Sequence, residues 1–154
     1  MVVREEMEVQ VSVPTEPKGR IVRTYSDGQA ILWSYVPELP SEDACRSRPW
    51  LTVLTWRYDG TTNNGMPDEA TNQLMLKLDG ALESVEHPTS CSEAYRRIGG
   101  GLREFVYYIA DREEFMDRLN SVLADHPQYP IEIKFYEDES WSDFKKLMDD
   151  FSKA

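Results

Sequence analysis

Apolar and polar positions alternate most cleanly near the C-terminal end of the chain, where Ile131, Ile133 and Phe135 interleave with Glu132, Lys134 and Tyr136. A period of two marks a strand with one buried face. Two denser runs, Trp50 to Tyr58 and Leu102 to Ala110, are rich in aromatic and β-branched residues and read as more fully buried strands. Gly99-Gly100-Gly101 supplies a turn free to take positive φ before the second run, and Ser92 to Ile98 leads into it as a weaker strand. Ile21 to Tyr25 and Gln29 to Val36 flank Ser26-Asp27-Gly28, a hairpin signal. Residues 1–20 are charged and punctuated by Pro14 and Pro17. Their one alternating piece, Val9 to Val13, makes them an N-terminal arm or edge strand ahead of a single α+β domain over 21–154.

Helical periodicity appears three times. Pro67 stands at a first helical position with Asp68 and Glu69 suited to the helix dipole, and Ala70, Leu74, Leu78, Ala81, Leu82 and Val85 form a stripe. The predicted helix covers 67–86 and stops at His87-Pro88. Gly80 inside it costs ~1 kcal/mol relative to Ala, which suggests close packing there. Asp111 caps a second helix over 111–125 that carries Phe115, Leu119, Val122 and Leu123 on one side. Ser140, with Asp143 three residues on, caps a last helix whose apolar side is Trp141, Phe144, Leu147, Met148 and Phe151. Pro37 to Pro49 reads as a mixed polar connection.

From residue 50 to 136 the order is strand, helix, strand, strand, helix, strand. That order predicts an α+β fold, a ferredoxin-like βαββαβ sandwich with an N-terminal β extension and a C-terminal helix. The right-handed crossover rule puts both inner helices on one face of the sheet. The expected strand order is 131–136, 50–58, 102–110, 92–98.

Composition sharpens this picture. At 154 residues and 40% hydrophobic, the chain suits one domain with a substantial core. Against 17 basic side chains stand 28 acidic ones, a net charge of −11 that repels phosphate backbones. Direct nucleic-acid binding is therefore disfavoured and a basic protein partner favoured, unless the charge serves solubility alone. Met1 to Glu6 has no apolar leader pattern, and no apolar run approaches the ~18 residues of a membrane span. A cytoplasmic location follows by elimination, and Cys45 and Cys91 are read as free thiols.

Candidate chemistry is thin. Gly60 and Gly65 have phosphate-loop spacing, but Met66-Pro67 replaces the Lys and Ser/Thr that would hold phosphate and metal. His87, Cys91, Cys45 and His126 lack Cys-x-x-Cys spacing, and Pro88 breaks the helix that would align the first pair. No metal and no cofactor are expected, and no catalytic residue stands out. Arg103, Phe105 and Tyr107 share one strand face, opposite Val106 and Tyr108. If Val106 faces the helices, the aromatic group joins Tyr136 on the far side. That face is first a structural one covered by the N-terminal hairpin or last helix, second a protein-binding face, and third a nucleobase platform.

Trp33 with Tyr35, Gly65-Met66-Pro67, Gly101-Leu102-Arg103-Glu104 running into Tyr107-Tyr108, and Asp138 with Trp141 and Phe144 together resemble the bacterial family known as domain of unknown function six-nine-five. That family is similar in turn to the ribonuclease E inhibitor B group. Asp79-Gly80 departs from a usual pair of acids, and Glu139-Ser140 from an expected Pro-Glu. The resemblance implies a small α+β domain and, through the more distant relation, inhibition of a nuclease. Charge and motif content converge on a cytoplasmic binding or regulatory domain that occludes a basic protein surface. Its candidate contacts are Trp33, Tyr35, Trp50, Trp56, Arg103, Tyr107, Tyr136, Glu137, Asp138 and Glu139. The alternative is a hydrolase or transferase using carboxylate chemistry. Oligomeric state is open.

Overall fold

The computed structural model describes residues 3–11, by their backbone, and residues 19–152. The hairpin signal at Asp27-Gly28 is met by positive φ at both residues, 52° and 78°. They join β2 (Arg20–Ser26) to β3 (Gln29–Tyr35). β1 (Val3–Val11) pairs with β2 at one edge, while the remainder of the Val9 to Val13 alternation lies outside the described residues. The dense apolar runs become β4 (Trp50–Arg57) and β6 (Leu102–Ile109), with β5 (Cys91–Gly99) before the glycine turn and β7 (Ile131–Glu137) last. One seven-stranded antiparallel sheet results, ordered β1-β2-β3-β5-β6-β4-β7. Its last four strands run β5-β6-β4-β7, the order expected from the sequence. The fold is mixed α+β.

Four helices are found among the described residues: α1 (Glu42–Ser47), α2 (Glu69–Leu82), α3 (Arg112–Val122) and α4 (Ser142–Ser152). α1 lies where the sequence suggested only a polar connection, and the Ser41 hydroxyl caps it by accepting from the Ala44 amide at 3.2 Å. α2 begins two residues later than expected, capped by Asp68, which accepts from the Thr71 amide at 2.8 Å. Its buried stripe is Met75, Leu78 and Leu82, continued by Val85, whereas Ala70 and Leu74 of the expected stripe face solvent. Gly80 is exposed, with nothing near the position of a side chain, so it marks no close packing.

Strand alternation divides the core in two. Leu54, Trp56, Phe105, Tyr107 and Ile109 join residues of α2 and α3 on one side of the sheet. Leu51, Val106 and Tyr108 join Trp141, Phe144, Leu147 and Phe151 from the α4 region on the other. Phe105 and Tyr107 are thus covered by the inner helices, not by the hairpin or last helix, and the condition that Val106 faces those helices is not met. The β2–β3 hairpin extends the sheet sideways instead, pairing with β5 from Leu32 to Tyr35.

Candidate functional site: the sheet face beneath α4

Strand registers place a set of side chains in rows on the α4 face. One row runs Glu132, Thr55, Glu104, Arg97, Trp33 across β7, β4, β6, β5 and β3. The next runs Lys134, Val53, Val106, with Tyr95 and Tyr35 beyond, and a third holds Tyr136, Leu51 and Tyr108. α4 crosses these rows obliquely. Trp141 stacks on Tyr108 with centroids 4.1 Å apart and planes 8° from parallel, Phe144 meets Tyr35 edge-on, and Phe151 lies against Tyr35 and Trp33. The β7 side of the face stays open, with Tyr136 49% exposed and the Glu132 and Lys134 side chains 59% and 56% exposed.

Between the covered and open parts sits a polar patch. The Thr55 hydroxyl donates to Glu104 Oε2 at 3.5 Å, and the Arg97 guanidinium lies 5.3 Å over the Trp33 ring while donating to the Gly99 carbonyl at 3.0 Å. Burial pushes the Glu104 carboxyl above its ordinary value, and the nearby Arg97 charge opposes that only in part. Desolvation likewise lowers Arg97.

The start of α4 explains why the helix docks where it does. Its cap is Asp138, not Ser140: the carboxylate accepts from the amides of Ser142 and Asp143 at 2.9 and 3.0 Å, from the Ser142 hydroxyl, and from the Tyr108 hydroxyl at 2.6 Å. Burial raises the Asp138 carboxyl, but these bonds outweigh it and leave the group below its ordinary value. Trp141 takes φ of 58° and donates its indole N–H to the Cys45 and Arg48 carbonyls at 3.1 and 3.0 Å. Arg48, itself buried, donates to the Pro88 and Thr89 carbonyls and to the Ser92 hydroxyl.

Of the other candidate contacts, Tyr35, Trp56 and Tyr107 are buried and offer no surface to a partner. Trp33 is half-covered by Phe151 and Arg97, and Trp50 lies under the Arg112 guanidinium at 4.1 Å. Arg103 is bound on the opposite face, where it bridges both Asp79 oxygens at 3.0 and 3.1 Å and covers Phe105. Arg96 joins the same Asp79 at 3.3 Å and also holds Glu93, whose carboxyl burial raises above its usual value. Tyr136, Glu137 and Glu139 are exposed near one corner, whereas Asp138 is committed to the α4 cap. Thr55, Arg97 and Glu104 escaped sequence reasoning because only the β4–β6–β5 register brings them together. Among the described residues no group of three or more His, Cys, Asp or Glu is arranged to hold a metal. Cys45 and Cys91 are free and buried, with the Cys91 thiol pushed up to about 12 by desolvation. No helix is long and apolar enough to cross a membrane among the described residues.

The model of a family of unknown function, DUF695, matches residues 23–148. The chain belongs to that family. Comparison with curated proteins finds no match. Residues that carried the DUF695 resemblance serve the architecture just described. Gly65 and Gly101 meet backbone to backbone at 2.9 Å, with the Tyr58 hydroxyl also donating to the Gly65 carbonyl at 2.5 Å. Gly65 has φ of 87°, and a side chain there would press the Gly100 nitrogen at 2.9 Å. Tyr108, Asp138, Trp141 and Phe144 form the α4 anchor, and Arg103 the bridge to α2.

Proposed function

We propose that this DUF695 chain is a non-catalytic cytoplasmic binding or regulatory domain that engages a basic protein surface through the open β7 corner of its sheet. The observation that carries this reading is the exposed aromatic Tyr136 set beside Glu137 and Glu139, on a chain of net charge −11. Carboxylates of this kind steer encounter, and an aromatic side chain supplies the buried anchor. The strand order β7-β4-β6-β5, with α2 and α3 on one side, supports the finer reading of the fold as a ferredoxin-like sandwich. The relation to the ribonuclease E inhibitor B group belongs to the same proposal and makes a nuclease the kind of target expected.

A second reading, hydrolase or transferase chemistry on carboxylates, is favoured by the raised carboxyls of Glu93 and Glu104. Each already has a structural neighbour, Arg96 for the first and Thr55 with Arg97 for the second.

The test is affinity capture from lysate with the wild-type chain and with a Tyr136→Ala, Glu137→Lys, Glu139→Lys variant, at low and high salt. The binding reading expects a basic protein retained at low salt, weakened above ~0.15 M where screening acts within about 8 Å, and lost in the variant. Equal capture by both chains, or turnover of a small substrate abolished by Glu93→Gln or Glu104→Gln, overturns it.

A further inference from the structure

We propose that two copies of this chain pair through the outer edge of β7, in antiparallel register about a two-fold axis at Ile133. Among the described residues β7 has one strand neighbour, β4, at the edge of the sheet. An edge strand presents unpaired backbone groups, which proteins commonly blunt with charged side chains, bulges or proline, so what matters is whether the charges on the edge complement a second copy. Here the pattern over residues 131–135 is self-complementary. A two-fold axis at Ile133 sets Glu132 of each copy opposite Lys134 of the other, twice, on the open face. On the helix face it sets Ile131 opposite Phe135, again twice, with Ile133 facing its own counterpart.

The alternatives are worse by the same rule. An axis at Lys134 opposes two lysines and leaves Glu132 against Tyr136. An axis at Glu132 opposes two glutamates. Pro130, which has no N–H, ends the ladder just beyond Ile131, so the favoured register uses the stretch available. Within one chain Glu132 and Lys134 are only loosely paired, at 4.0 Å, and both remain well exposed.

The apolar side tells the same story. Ile131, Ile133 and Phe135 pack on the α2/α3 core yet stay only partly buried. A shallow cleft runs between α3 and the β7 edge, lined by Met116, Asp117 and Phe135 among others. The second copy's Ile131 would enter that cleft against Phe135. Joining the edges would also make the two open faces one continuous surface, with Tyr136 of each copy at its flanks. The inference stands apart from the proposed function, because a monomer could bind a basic partner and a dimer could fail to.

Charge reversal tests it on the full chain by sedimentation equilibrium. Glu132→Lys alone or Lys134→Glu alone converts both cross-strand pairs to like charges and should weaken the dimer by about ten-fold or more. The double variant restores opposite pairs in swapped order and should recover wild-type association. Thermal melting of all four proteins checks that these exposed changes leave the fold intact. Because each chain carries −11, association should strengthen as salt rises. Independently, Ile133→Cys should cross-link to itself under mild oxidation, since facing Cα atoms in a ladder lie about 4.5–5.5 Å apart, while Tyr136→Cys should not. A wild-type chain that sediments as a monomer at millimolar concentration overturns the proposal. So does a dimer that both single variants leave untouched, which would place the contact on another surface.

Discussion

Tyr107 and Tyr108 are neighbours in β6, both fully buried, and they point to opposite sides of the sheet. The Tyr108 hydroxyl donates to Asp138 at 2.6 Å and accepts from the Phe144 amide at 3.4 Å. The Tyr107 hydroxyl has no hydrogen-bond partner among the described residues. The contrast extends to the two faces. On the α2/α3 side, two helices and several strands contribute apolar area, and polar groups such as Asp79, Arg96 and Arg103 gather at the margin. On the α4 side one short helix is fixed by a specific set of bonds around Trp141 and Asp138. One face is held by area shared among many residues, the other by an anchor with few substitutes.

The largest test of this difference removes the anchor and its helix together. Truncation before Ser140 strips away Trp141, Phe144, Leu147, Met148 and Phe151, each contributing ~1.5–3 kcal/mol through burial. Its melting temperature should fall further than that of any single substitution, and an unchanged melt would mean that the helix contributes nothing to the fold. Next in size, Trp141→Ala should cost about 3–5 kcal/mol in denaturant titration, as much as Leu78→Ala or more, although Leu78 sits deep in the richer core. If Leu78→Ala proves far more damaging, the α4 face is not anchor-dependent.

The paired tyrosines sharpen the point. Tyr108→Phe leaves the Phe144 amide without its acceptor and takes one donor from Asp138, at a cost of about 1–3 kcal/mol. Tyr107→Phe removes a hydroxyl with no hydrogen-bond partner among the described residues, so stability should stay level or rise. Equal losses in the two variants would erase the distinction between the faces.

Smallest, and read as a pH profile, are two carboxylates shifted in opposite senses. The folded-state value of Asp138 is depressed, so its contribution is present above the ordinary carboxylate range and fades as pH falls through the lower folded value. Asp138→Asn should flatten the acid limb of the stability curve. Glu104 is raised, so its contribution favours the fold at low pH and disappears as pH climbs through the folded value. Glu104→Gln should therefore gain on the wild type near pH 7 and lose that gain near pH 3. A variant that tracks the wild type across the range would mean that Glu104 is no more desolvated in the fold than in the unfolded chain.

Strand content and the order of the four central strands could be read from period-two alternation and the Gly99–Gly101 turn, because those signals are local. The face assignment of β6 could not. Val106 and Phe105 are both apolar, so alternation separates them without saying which meets α2. The cap of α4 was also hidden: Asp138 reaches the helix only because the intervening residues fold back with Trp141 at positive φ. Likewise, the patch of Thr55, Glu104 and Arg97 exists through pairings between strands far apart in the chain. Sequence spacing carries no trace of such pairings.

The position of β4 has a consequence for how the chain acquires its structure. This strand lies between β6 and β7, whose pairings with it join Trp50 to Ile109 and to Glu137. Neither neighbour is sequence-local, so closing the sheet interior must meet the entropy of long loops before any ladder bond compensates. Such topologies fold slowly compared with helical bundles. On a ribosome, the aromatic interior of β4 would wait, unpaired on one side, until nearly the whole chain had been made. The β2–β3 and β5–β6 hairpins, each with strand ends a few residues apart, can form early.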